Sequence, residues 1–257
     1  FLAFDYVIIT KIRIFMKYSI PLLFFLLLLS NSHASKIKLS IVTGELAPYS
    51  YTQNKILRGF AIDIVKELKK STRSNYNIIF KPWGRVIKES TNKNTISFPI
   101  ARLPYREKMY KWIGPILIDK TIFAVKKSNF IKVSTIDELK SFSVGVNLGA
   151  PTTTRLKSLN FEKLNIIPSE IQLSKMFIRD RFKLWYSTKH MIYNFLHKEN
   201  FNMSNLKIMY TDLTLKMYIA TSLDVDDQII KKWQKELDEM KKDGRYQKIL
   251  NNNNIIE

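Results

Sequence analysis

Arg106 stands on a turn, Leu103-Pro104-Tyr105-Arg106, that follows a short apolar run at residues 96–98 and precedes a second one, Trp112-Ile113-Gly114-Pro115-Ile116. A guanidinium fixed on a loop between two buried strands is an always-charged fork that fits a carboxylate. The bland alternative is a surface arginine, and the proline and flanking strands weigh against it. Arg102, four residues earlier, is either a second anion contact or half of a structural ion pair. Thr152, Thr153 and Thr154 open a helix just after Gly149, where hydroxyls and free backbone N–H groups form an anion site or serve as ordinary caps. His190 and His197 lie seven apart on one helix and read as surface residues rather than metal ligands. The chain has no cysteine, which excludes disulfides, thiol chemistry, cysteine-ligated zinc and lipid attachment through a thiol. Nothing in the pattern calls for a cofactor.

The elements that must position these residues alternate between strand and helix. Strands are predicted at 37–42, 76–80, 96–98, 116–125, 143–146, 182–186 and 206–210. Helices are predicted at 59–68, where Phe60, Ile64 and Leu68 share a face, at 84–90 and at 189–198. Thr135-Ile136-Asp137-Glu138 and Ser169-Glu170-Ile171-Gln172 are capping boxes, each opening a helix. Such alternation predicts an α/β fold of parallel sheets covered on both faces. Asn251 to Asn254 reads as a disordered tail.

Met16-Lys17, an apolar run at 18–29 and the small residues before Ser35 form a secretory signal, with cleavage expected after Ala34. The run is too short for a membrane span. Residues 1–15 read as a spurious upstream extension, 16–34 as the signal peptide. The product is then expected in the periplasm. A formal charge of +20 is spread over scattered lysines, with neither a basic helix nor interleaved aromatics, so nucleic acid is not an expected partner.

Four segments in order resemble one family. Ala47-Pro48-Tyr49 with Gly59-Phe60-Ala61-Ile62-Asp63 comes first, then the Arg106 stretch at 96–116. VGVNLGAPTTT at 144–154 and DGRYQK at 243–248 complete the set. Together they resemble the solute-binding proteins of polar-amino-acid ABC importers, the bacterial extracellular solute-binding proteins of family 3. The resemblance implies a type II periplasmic-binding fold of two α/β lobes, with the chain crossing between them near 118–123 and 212–219. Lobe one is then 35–118 with 216–257, and lobe two is 119–215. It also implies that Arg106 anchors a ligand carboxylate and that Trp83 covers the ligand's side chain, unless that ring is plain core. Tyr49 and Tyr51 fall at the cleft edge. Where the family carries an ammonium-binding aspartate, this chain has Ser187 and Thr188, and Lys183 replaces an acid earlier in that strand. Pro99 and Ala101 stand in place of carboxylate-lining serines, and Pro151 in place of a threonine. With no acid evident in lobe two, and only Glu45 as a distant substitute, a ligand without a free ammonium is expected to bind best.

The function implied is non-enzymatic. A small molecule would be captured in the cleft by a monomer and passed to an inner-membrane ABC permease. An exported dehydratase-like enzyme and a sensor for a membrane receptor are the alternatives on the same fold.

Overall fold

The computed structural model describes residues 39–255. The expectations for residues 1–15 and for the signal at 16–34 lie outside the described residues.

The first half of the chain opens with β1 (Ser40–Gly44), a small hairpin of β2 (Tyr51–Gln53) and β3 (Ile56–Arg58), and α1 (Phe60–Ser71). β4 (Ile78–Lys81), α2 (Trp83–Glu89), β5 (Thr95–Ala101) and β6 (Lys111–Lys126) follow. β7 (Val144–Asn147), α3 (Pro151–Ser158), β8 (Leu164–Ile167), α4 (Glu170–Ile178), β9 (Leu184–Thr188) and α5 (Lys189–Lys198) make the next group. β10 (Leu206–Thr221), α6 (Asp227–Lys242) and α7 (Arg245–Asn252) close the chain. One eight-stranded sheet runs β4-β1-β5-β10-β6-β9-β7-β8. Its two ends are parallel, as the alternation predicts, while the middle is antiparallel because β6 and β10 pair with each other and with β5 and β9.

β6 and β10 are both 16 residues long, far longer than the runs at 116–125 and 206–210 that apolarity alone marks. The reason is their mixed burial. Ile116, Leu117, Met217 and Ile219 lie in a core with Phe60, Ile64 and Trp233. Further along the same two strands, Ile122, Phe123, Val125 and Met209 enter separate cores with Phe177, Trp185 and Leu156. Between these cores both strands carry polar residues, Asp119, Lys120 and Thr121 on one and Thr211, Asp212 and Thr214 on the other, and the ladder shifts register there. In β10 such a stretch ends the apolar run at Tyr210, whereas in β6 the predicted run crosses it and misses the mostly half-buried start at 111–115.

α1 buries Phe60, Ala61, Ile62, Ile64, Val65 and Leu68, a wider face than the predicted stripe, because α6 and α7 also pack on it. The 243–248 motif explains that packing. Gly244 takes the left-handed conformation that separates α6 from α7, and Arg245 pairs with Glu67, Glu236 and Asp243. The expected disordered tail is a correction. α7 reaches Asn252, the Asn253 amide donates to Asp63 at 3.0 Å, and Ile255 is buried in the first core. Polarity misled here, since the asparagines cap and tether a helix rather than solvate a loose end. The Ser169 box does open a helix, its Oγ accepting from Gln172 N–H. The Thr135 box closes on Glu138 but opens only a 3-10 turn.

Candidate functional site

Parallel pairing decides where the candidate residues go. β1, β4 and β5 run the same way in the register Gly44 to Lys81 and Val42 to Ser97, so their C-terminal ends share one sheet edge. Tyr49 follows β1, Trp83 follows β4 and Arg106 follows β5. In the other half β7, β8 and β9 are likewise parallel. Thr152 and Thr153 follow β7, Glu170 follows β8, and Ser187, Thr188 and His190 end β9 and begin α5. The carboxyl ends of parallel strands are where α/β sheets gather their binding groups.

One contact joins the two edges. Tyr49, 1 % exposed, reaches Asp119 Oδ2 at 2.5 Å and also bonds Thr188 Oγ1. Its position is set by Gly59. The Ala61 N–H donates to the Tyr49 carbonyl at 3.0 Å, and a Cβ on Gly59 would stand 2.4 Å from that oxygen. Burial, and then the Asp119 charge beside it, raise the Tyr49 phenol well above its ordinary pKa, so it stays a neutral donor. Around it, Ala47 and Tyr51 pack into the core of the second half, Lys198 lies 5.2 Å from the Tyr51 ring, and Met191 packs into the core of the first. Tyr49→Phe is therefore expected to destabilise the fold by about 1–2 kcal/mol, since it takes a donor from the buried Asp119 oxygen and an acceptor from the Thr188 hydroxyl. Urea unfolding of the variant checks this, and an unchanged midpoint would show that the contact is energetically idle.

The remaining candidates separate into committed and open groups. Arg102 forms a bidentate pair with Glu107, both bonds 2.8 Å, and its guanidinium lies over Trp112 and Tyr218 at 5.4 and 5.2 Å. That is the structural ion pair of the two readings. Glu45 is exposed and accepts from the Thr52 N–H at 3.4 Å. Trp83 is half-buried against Ile100, Tyr110 and Ala220. Thr153 donates its hydroxyl to the Asn147 carbonyl and Thr152 is buried, so both brace the β7–α3 turn. Ser187 is buried, with Met191 Sδ 3.6 Å from its Oγ. Arg106 is half-buried on a 3-10 turn; its Nη1 donates to the Ala101 carbonyl at 3.1 Å and its guanidinium sits 5.3 Å from the Tyr105 ring. Among the described residues no carboxylate pairs with it.

Two acids outside the predicted set, Asp119 and Glu170, lie near Thr188 and Ser187. Asp119 is buried between Tyr49 and His190, whose Nδ1 is 3.0 Å from Oδ2. His190 is thus interior rather than a surface residue, while His197 is exposed. Glu170 sits among Ser187, Trp185 and Asn147. Those donors favour its charged form, but burial outweighs them and pushes its pKa up to about 7. Asp119 was visible as an acid interrupting an apolar run. Glu170 gave no such signal, because an acid in the first turn of a helix is ordinary. A third acid belongs to the frame. Burial works to raise the Asp212 pKa, but bonds from Arg155 at 2.9 and 3.0 Å and from Tyr186 at 2.6 Å hold it below the usual range. Among the described residues no cluster of three or more His, Asp or Glu side chains could hold a metal ion, and no helix is long and apolar enough to cross a membrane.

Two facing sets of parallel strand ends, joined through two long antiparallel strands, define the type II periplasmic-binding fold. A histidine kinase sensor domain with similarity to periplasmic binding proteins shares this arrangement. Its TM-score is 0.70 at 12% identity, covering 82% of this chain and 94% of that one. An ancestral arginine-binding protein bound to arginine superposes with a TM-score of 0.68 at 22% identity, covering 84% and 97%. The chain belongs to the bacterial extracellular solute-binding proteins, family 3, whose model matches residues 39–253. It is 25% identical over 214 residues to the probable amino-acid-binding protein YxeM of Bacillus subtilis (strain 168), covering 80% of each chain.

Proposed function

We propose that the protein captures a small carboxylate-bearing solute, an amino acid or a close relative, between the two strand edges and delivers it to an inner-membrane ABC permease. The observation that carries this reading is Arg106. One nitrogen is docked on the Ala101 carbonyl, which fixes the fork at the end of β5, and no protein carboxylate claims it among the described residues. Trp83 on the same edge, and Thr152 and Ser187 on the facing one, would complete the enclosure. The lobes are 35–118 with 216–257, and 119–215. The division of the cores along β6 and β10, with polar residues and register shifts between them, supports hinges near 118–123 and 212–219. Closure about such hinges would shield the solute without covalent chemistry. The relatives named above, one an amino-acid-binding protein and one bound to arginine, agree in ligand class.

A thermal-shift panel of the twenty amino acids, with their N-acetyl and deamino analogues, tests the reading. A true ligand at a hundredfold excess over its Kd adds about 2.7 kcal/mol of stability. A flat panel with measurable turnover of any compound would instead favour an enzyme. On this reading the protein is a periplasmic monomer cut after Ala34, so N-terminal sequencing of exported material is expected to read Ser35-Lys36-Ile37. A membrane-bound form that keeps residues 16–34 would contradict it.

A further inference from the structure

We propose that the outer face of α1, with the hairpin beside it, docks on an anionic phospholipid surface. The sequence of α1 does not read as basic, because Asp63 and Glu67 stand among Lys66, Lys69 and Lys70. The fold separates the two signs. Both acids are taken up by the C-terminal segment: Asp63 accepts from the Asn253 amide at 3.0 Å, and Glu67 pairs with Arg245 at 3.2 Å. Lys66, Lys69 and Lys70, spaced i, i+3 and i+4, share the other side of the helix. Arg73, whose N–H donates to the Lys70 carbonyl at 3.1 Å, extends that row just past the helix end. The Lys66 ammonium donates to the Leu57 carbonyl at 3.2 Å, which holds the hairpin, with Lys55 and Arg58, beside the row. Lys55, Arg58, Lys66, Lys70 and Arg73 are exposed and Lys69 is half-buried. Among the described residues no carboxylate pairs with any of the six.

The form of this row selects the partner. A small anion needs donors that converge on one point. These cations stand instead along the convex outside of a helix, about 10 Å from Lys66 to Arg73 at the usual helical rise. A headgroup layer offers phosphates across such a length, and each Lys or Arg held near it strengthens attachment about fivefold. Ile56, 51 % exposed and next to Lys55, adds an apolar contact at the headgroup boundary. It is also no ring on which a base could stack, which weighs against a nucleic acid. The formal charge of +20 draws the protein toward the same surface from a distance. Such attachment is reversible by salt, because charges are screened over about 8 Å at physiological ionic strength.

Flotation of the soluble exported protein with vesicles tests the proposal, phosphatidylglycerol mixed with phosphatidylcholine being compared with phosphatidylcholine alone. The wild type is expected to float with the anionic vesicles at low salt, to leave them at high salt, and to ignore the neutral ones. Lys66→Glu, Lys69→Glu, Lys70→Glu and Arg73→Glu combined should weaken that binding by about a hundredfold or more. The control carries the same change of charge on exposed lysines of the other half, Lys132→Glu, Lys157→Glu, Lys183→Glu and Lys207→Glu, and should lose less than about tenfold. Thermal melts confirm that both are folded, and the pair Lys69→Gln with Lys70→Gln, expected to lose about tenfold, replaces the first variant if it melts early. Equal losses in the two sets would mean that net charge alone acts and would overturn the assignment to α1. So would wild-type protein that does not float with anionic vesicles, or one that binds polyphosphate more tightly than the vesicles.

Discussion

Replacing Arg106 by alanine is expected to remove most of the solute affinity and to leave the melting temperature of the unliganded protein nearly unchanged. The two halves of that result have separate causes. Arg106 contributes little to the fold: one hydrogen bond to the Ala101 carbonyl and a contact with the exposed Tyr105 ring. Toward a carboxylate its value is larger, because truncating one partner of a desolvated charge pair costs about 2–5 kcal/mol. That is a loss of about thirtyfold to several thousandfold in Kd. Arg102→Ala is the control, since that side chain is spent on Glu107, Trp112 and Tyr218. It should lower stability more than affinity. Calorimetry and melting curves on both variants would reveal any exchange of these roles.

Glu170→Gln is expected to stabilise the unliganded protein at alkaline pH, opposite to the usual effect of deleting a carboxylate. The folded carboxyl titrates at about 7 against an ordinary value of 4.5. A raised pKa means that the folded chain holds the proton more tightly. The benefit is complete at pH below about 4.5 and is lost as pH rises through 7. The wild type should therefore lose about 3 kcal/mol between pH 4 and pH 8 from this group alone. Glutamine is neutral throughout and escapes that loss. Urea unfolding at several pH values should show the two proteins equal near pH 4 and diverging to about 3 kcal/mol at pH 8. Parallel curves would mean that Glu170 is charged and satisfied at neutral pH.

These two residues mark how far the sequence could be read. The turn that carries Arg106 was legible because a proline between two apolar runs is local information. The strand and helix order and the Ser169 cap were legible for the same reason. Long-range partners were not. Nothing local tells that Tyr49 reaches over to Asp119 and Thr188, or that a first-turn glutamate folds onto Trp185 and Ser187. The first brings strand ends together from opposite halves, and the second joins the ends of β8 and β9 within one half. The length of β10 was hidden by its own polar midpoint, and the docking of Ile255 by the asparagines before it.

The central claim is that Arg106 holds the carboxylate of a solute enclosed between the two strand edges. A crystal structure of the protein with the tightest binder from the amino-acid panel tests it most directly. The expected density places the ligand carboxylate within about 3 Å of the Arg106 guanidinium nitrogens, with the ligand covered by residues of both edges. A ligand bound elsewhere, or one whose carboxylate faces away from Arg106, would contradict it.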